Sequence, residues 1–104
     1  MEKPVFVCNL LAISPAARAR YNELVQRVRE AMHQREEISN GYTFRLHGKA
    51  ISLTETAEWM NMERLCCPFL TLQLSVSGHD AVWNLTLAGP AGIKPLLDAE
   101  FPKR

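Results

Sequence analysis

The stretch LTLQLSVSGHDAVWNLTL, Leu70–Leu87, decides the fold class. Leu70, Leu72, Leu74 and Val76 alternate with Thr71, Gln73, Ser75 and Ser77. After Gly78-His79-Asp80 the alternation resumes, with Ala81, Trp83, Leu85 and Leu87 set against Val82, Asn84 and Thr86. A period of two places each set on its own face of a strand. Two such runs joined by a Gly-containing turn read as an antiparallel hairpin with one dry and one wet face.

Upstream, Tyr42, Phe44 and Leu46 alternate with Thr43, Arg45 and His47, a third half-buried strand, and Gly48-Lys49 reads as a turn. Ser14-Pro15 is an N-cap followed by a proline suited to the first helical position. Tyr21, Leu24, Val25, Val28, Ala31 and Met32 then recur at helical spacing. This predicts a helix of about six turns, to roughly Glu37, ended by Ser39-Asn40-Gly41. The apolar run Val5–Ile13 reads as a first strand; it is too short, and interrupted by Asn9, to be a signal sequence. A second helix is expected from near Thr54 to Cys67, because Pro68 disfavours helical geometry before it. A last short helix carries Ile93, Leu96 and Leu97, with Pro95 tolerable only in its first turn. The predicted order is β-α-β-α-β-β-α, a single α+β domain over residues 1–104. Helices over a mostly antiparallel sheet give a two-layer α/β sandwich, a variant of the ferredoxin-like topology.

Composition bounds the partners. Twelve basic and 11 acidic side chains leave a net charge of +1, without the basic surplus of a nucleic-acid binder. Arg18, Arg20, Arg27 and Arg29 interleave with Glu23 and Glu30, which describes a solvated helix face. The wet sheet face offers Thr, Ser, Gln and Asn with no aromatic pair for stacking bases, and is where a second copy would pair in a homodimer. No segment approaches the ~20 apolar residues of a membrane span. Three cysteines are too few for a disulfide framework and fit free or metal-binding thiols in a cytoplasmic setting.

The least generic segment is Glu58–Leu70, with adjacent Cys66 and Cys67. Successive helical residues point about 100° apart, but the helix end at Pro68 can turn both sulfurs to one point. Such a pair suits a soft ion, Hg(II), As(III), Cu(I) or Zn(II), with Cys8 as a third thiolate. Structural zinc is disfavoured, since His33, His47 and His79 lack ligand spacing. Thiol redox chemistry is the second use, although a helix C-terminus raises a thiol pKa and Arg64 only partly offsets this. The Cys67-Pro68 dipeptide is a weak haem-ligand signal. Glu63 falls between the two cysteines on the helix surface and is the candidate proton acceptor; Trp59 and Met62 flank Cys66. Against all this stands plain packing: buried cysteine behaves as a small hydrophobe, and Trp59, Met60 and Met62 suit a core or dimer face. No G-x-S-x-G, P-loop, G-x-G-x-x-G or H-E-x-x-H is present, so no enzyme class is indicated.

Glu63-Arg64-Leu65-Cys66-Cys67-Pro68-Phe69-Leu70, with the later Gly89-Pro90-Ala91-Gly92-Ile93-Lys94, resembles small uncharacterised bacterial proteins built on E-R-x-C-C-P-F-L and G-P-x-G-x-K. Some of these are associated with mercury or other heavy-metal resistance. The resemblance covers the C-terminal half and implies a metal or thiol context, without assigning a catalytic residue. Two functions therefore stand: thiol-based binding or sensing of a soft metal or oxidant, or a non-catalytic interaction domain with structural cysteines.

Overall fold

The computed structural model describes residues 6–102. It is an α+β structure of three helices and one four-stranded antiparallel sheet. The elements are α1 (Pro15–Ala31), β1 (Met32–Ile38), β2 (Gly41–His47), α2 (Leu53–Cys66), β3 (Thr71–Ser75), β4 (Val82–Ala88) and α3 (Lys94–Glu100). Sheet order is β1-β2-β4-β3, so two successive α-β-β units meet with β2 and β4 side by side in the centre.

The hairpin in Leu70–Leu87 forms with the anticipated facing. Leu72 pairs with Leu87 and Leu74 with Leu85, while Tyr42 and Phe44 meet the same two leucines from the other side. These residues form the inner face of the sheet. Thr43, Thr86 and Gln73 lie in one row of the outer face, where the two threonine hydroxyls are 3.0 Å apart. Leu24 and Val28 of α1, Trp59 of α2 and Leu97 of α3 bury completely against the inner face. Phe101 seals the base, edge-on to Trp59 with ring centroids 5.9 Å apart.

Helix signals act locally as expected. The Ser14 hydroxyl accepts from the Ala17 N–H and Pro15 opens α1. Pro95 sits in the first turn of α3. At α2 the N-cap is Ser52, which exchanges hydrogen bonds with Glu55 in a capping box, a Ser-x-x-Glu signature present in the sequence.

Two elements depart from expectation, and with them the order β-α-β-α-β-β-α. Of the strand expected over Val5–Ile13, Val5 lies outside the described residues; the remainder is irregular chain and a 3₁₀ turn at Leu10–Ala12. Its apolar side chains are not all interior, Val7 being 70% and Leu11 78% exposed. What fixes this segment is the Asn9 N–H bond to the Cys66 carbonyl, 2.8 Å, with Phe6 against Phe69. The second departure is α1, which stops at Ala31, so that Met32–Ile38 becomes a strand. Tight pairing is the reason: Ile38 meets Gly41 across the two-residue turn Ser39-Asn40, which folds the segment back on β2 as a hairpin. Hairpin pairing overrides the helical preference of Gln34, Glu36 and Glu37. A bulge between His33 and Glu36, with Gln34 at φ 52°, absorbs the register shift. The resulting sheet does not carry the ferredoxin-like arrangement that was expected.

The interleaved charges of α1 are satisfied within the molecule. Arg20 holds Glu58 through two 2.9 Å contacts, and Arg27 pairs with Glu23 and Glu55, clamping α1 to α2. No helix among the described residues is long and apolar enough to cross a membrane.

Candidate functional site

The end of α2 builds the site. Pro68 forbids another helical turn, so Cys67 becomes the C-cap, its N–H bonded to the Glu63 carbonyl at 2.8 Å. Its φ, −127°, has already left the helix. The side chain thereby swings to the N-terminal segment, where Cys8 waits with its Cα 4.8 Å away. Cys8 and Cys67 are joined in a disulfide that closes 59 residues of chain. This corrects the expectation of three free thiols. Odd cysteine count and wide spacing concealed the pairing, which depends on the N-terminal segment being tied to the end of α2 by Asn9.

Cys66, the free thiol, lies with its sulfur 3.6 Å from that of Cys67. The neighbouring sulfurs are thus not splayed apart, but both residues are fully buried instead of being presented to solvent. Cys8, half-buried, is the exposed member of the group.

Glu63 is the centre of the arrangement. Helical spacing carries it inward between the two cysteines, and it is only 2% exposed. Its Oε2 accepts from the Tyr21 hydroxyl at 2.7 Å, and its Oε1 lies 3.1 Å from the Cys67 sulfur. Burial holds its carboxyl pKa above the usual carboxylate range, opposed in part by the Tyr21 hydrogen bond. A disulfide sulfur carries no proton, so the 3.1 Å contact is a hydrogen bond only when the Glu63 carboxyl group is protonated and donates. Burial, then the nearby Glu63, pushes Tyr21 upward as well, and the same two causes raise the Cys66 thiol. The Cys66 sulfur lies 3.7 Å from the Tyr21 oxygen and 3.6 Å from the Glu63 carbonyl oxygen, either of which can accept its single proton. Cys66 is therefore held as a neutral thiol, a poor nucleophile in this setting.

The donor atoms of Cys8, Glu63 and Cys67 lie within 4.8 Å of one another, a grouping with the chemistry of a soft-metal site once the sulfurs are reduced. Cys66 stands outside that grouping. Trp59, expected beside the cysteines, is core against Phe101, and its buried Nε1 makes no hydrogen bond among the described residues. Met62 is half-buried and packs on the core near the same helix end. Tyr21 was read only as part of the α1 core face, and no sequence signal marks it out as the partner of Glu63.

A cleft of about 600 Å³ opens between the N-terminal segment, α1 and α3. Phe6, Cys8, Tyr21, Gln26, Arg29 and Glu100 are among its lining residues. Compared with protein-family models, with curated proteins and with solved structures, the chain matches none.

Proposed function

We propose that the protein is a thiol-based redox responder in which Cys8 and Cys67 cycle between disulfide and dithiol, with Glu63 as the internal proton carrier. The observation that carries this reading is the buried carboxyl group 3.1 Å from one sulfur of the disulfide. A structural cross-link has no use for a titratable group at that place, since burying it costs free energy. A reversible couple does. Closing the disulfide removes two electrons and two protons from the thiols, and an oxidant such as peroxide takes them up as it becomes two waters. On reduction the emerging Cys67 thiolate is buried, and an acid within reach neutralises it. In a cytoplasmic setting this is the expected kind of disulfide, because those in reducing compartments are mostly catalytic or sensing.

In the reduced state the Cys8 and Cys67 sulfurs and the Glu63 carboxylate gather a soft ion such as Hg(II), in keeping with the heavy-metal context of the proteins this chain resembles. Oxidation would then gate metal capture, because the disulfide consumes both thiolates. The competing reading, an interaction domain stapled by an inert disulfide, is favoured by the burial of Cys66 and Cys67.

Redox cycling separates the two. Native protein is treated with dithiothreitol and then with one equivalent of hydrogen peroxide, with peptide mapping of the cysteines and circular dichroism at each stage. The proposal expects the Cys8–Cys67 bond to open and re-form while helix content is retained. If the bond opens only after the chain is denatured, the disulfide is a staple and the proposal fails. For the metal arm, the reduced protein is titrated with Hg(II); tight uptake is expected to be lost in both Cys8→Ser and Cys67→Ser.

A further inference from the structure

The two sulfurs of the disulfide are not equivalent. Cys67 is fully buried beneath the end of α2, whereas Cys8 is half-buried and lines the cleft between the N-terminal segment, α1 and α3. Thiol–disulfide exchange requires the incoming thiolate to reach the sulfur it attacks. We infer that the disulfide is opened from one side only, at Cys8, by a low-molecular-weight, peptide-like thiol bound in this cleft. The inference rests on the redox reading above and adds to it the point of attack and the class of reductant.

The walls describe the ligand. Phe6, Val7, Leu10 and Val25 give an apolar side. Arg29 and Glu100, which also line the cleft, form an ion pair at 3.1 Å, and the Arg29 Nε also donates to the Glu100 carbonyl. A guanidinium and a carboxylate held side by side in the lining match a molecule carrying both an ammonium and a carboxylate. A volume of about 600 Å³ falls within the range of small-ligand sites, far too small for a folded protein partner.

The step balances as follows. The ligand thiolate forms a bond to the Cys8 sulfur, and the Cys8–Cys67 bond breaks. Cys67 leaves as a thiolate and takes its proton from Glu63, 3.1 Å away. A second ligand thiolate then attacks the ligand sulfur of the mixed disulfide, releasing oxidised ligand and the Cys8 thiolate. The two protons that the ligand thiols released on ionising return from solvent to Cys8 and Glu63, so the products are the dithiol protein and one disulfide of the small thiol.

Glutathione is the probe. Oxidised wild-type protein is mixed with reduced glutathione, quenched in acid at short times and mapped by mass spectrometry. The glutathione adduct is expected on Cys8, exceeding that on Cys67 by about tenfold or more because exchange follows access. An adduct found mainly on Cys67, or equally on both, overturns the inference while leaving reversible cycling intact. Absence of any opening in folded protein defeats the redox reading itself. Arg29→Gln tests the cleft: it is expected to slow opening by glutathione several-fold while leaving opening by uncharged 2-mercaptoethanol unchanged. Equal slowing of both reagents, or no slowing of either, removes the zwitterionic thiol as the ligand class.

Discussion

The Tyr21 hydroxyl donates to the Glu63 carboxylate oxygen at 2.7 Å, a buried bond between α1 and α2 across 42 positions of sequence. It leaves the second carboxyl oxygen facing the Cys67 sulfur, so the orientation of the acid is set by a residue on another helix. Removing the hydroxyl strips a buried acid of a 2.7 Å side-chain donor. Tyr21→Phe is expected to destabilise the protein by about 1–3 kcal/mol in urea unfolding, the cost of leaving a buried polar group unpaired. In the Glu63→Gln background the same substitution is expected to cost less. Additive losses would show that the two residues are not coupled.

Glu63 also imposes a pH signature. Burial raises its folded pKa above the ordinary value of 4.5, so between the two values the native state holds a proton that the unfolded chain has released. By linkage, this group's contribution makes stability fall as pH rises from 4.5 through the raised folded value, and then level off. Glu37, Glu55 and Glu58 act with the opposite sign, their pKa values being lowered by partners, but wild type and variant share them. The difference between wild type and Glu63→Gln therefore isolates Glu63. The variant is expected to gain relative stability as pH rises from about 4 to about 8, read from urea midpoints of the oxidised forms. A difference that stays flat with pH would mean that the fold does not keep Glu63 protonated.

Much of the sheet was legible because period-two alternation is read directly: Tyr42–His47, Leu70–Val76 and Ala81–Leu87 each lie in or around a strand. Caps at Ser14 and the stop at Pro68 were equally local. Met32–Ile38 was not legible as a strand, because His-Gln-Arg-Glu-Glu carries no alternation and its residues favour helix. Only its neighbour across the Ser39-Asn40 turn makes it a strand. The site divides in the same way. Adjacent cysteines and an inward Glu63 follow from helical spacing around a proline stop. The Cys8 partnership and the Tyr21 bond are tertiary facts, joining chain segments whose approach no local pattern encodes.

The pairing of β2 with β4 is open to test at Gly41. A Cβ there would run into the Leu87 carbonyl and the Ala88 backbone on β4, which cannot move without breaking the central ladder. Gly41→Ala is expected to cost about 1–3 kcal/mol, as overpacking does. Were β2 not held against β4 in this register, the added methyl group would cost little. Thermal melts of the variant distinguish the two outcomes.

The cross-link has its own energetic consequence. Closing a 59-residue loop restricts the unfolded chain, and loop entropy alone assigns this about 4 kcal/mol. Cys8→Ser is expected to lose up to that amount and to free the N-terminal segment, which among the described residues is tied to α2 by the backbone bond of Asn9 to Cys66. Hydrogen exchange is expected to show faster exchange at the Asn9 amide with β2 and β4 still protected. Loss of protection throughout the sheet would make the disulfide a condition of folding, and a redox cycle in the folded state would be impossible.

Cys66 provides the last discrimination, because it separates a couple formed by Cys8 and Cys67 from one formed by the adjacent pair. Its sulfur is 3.6 Å from that of Cys67, yet burial and the neighbouring Glu63 keep it a neutral thiol. Removing it leaves a small cavity beside Tyr21, so Cys66→Ala is expected to cost about 1 kcal/mol. The Cys8–Cys67 disulfide is expected to form and reduce as before, with its midpoint in glutathione redox buffers unchanged. Above pH 9, where an ordinary thiol ionises and the buried one does not, wild type is expected to lose stability faster than the variant, since only the wild-type unfolded chain has this thiol to ionise. If Cys66→Ala shifts the redox midpoint or blocks re-oxidation, Cys66 takes part in the electron transfer, and the working couple is a three-sulfur relay in which Cys67 exchanges between its two neighbours.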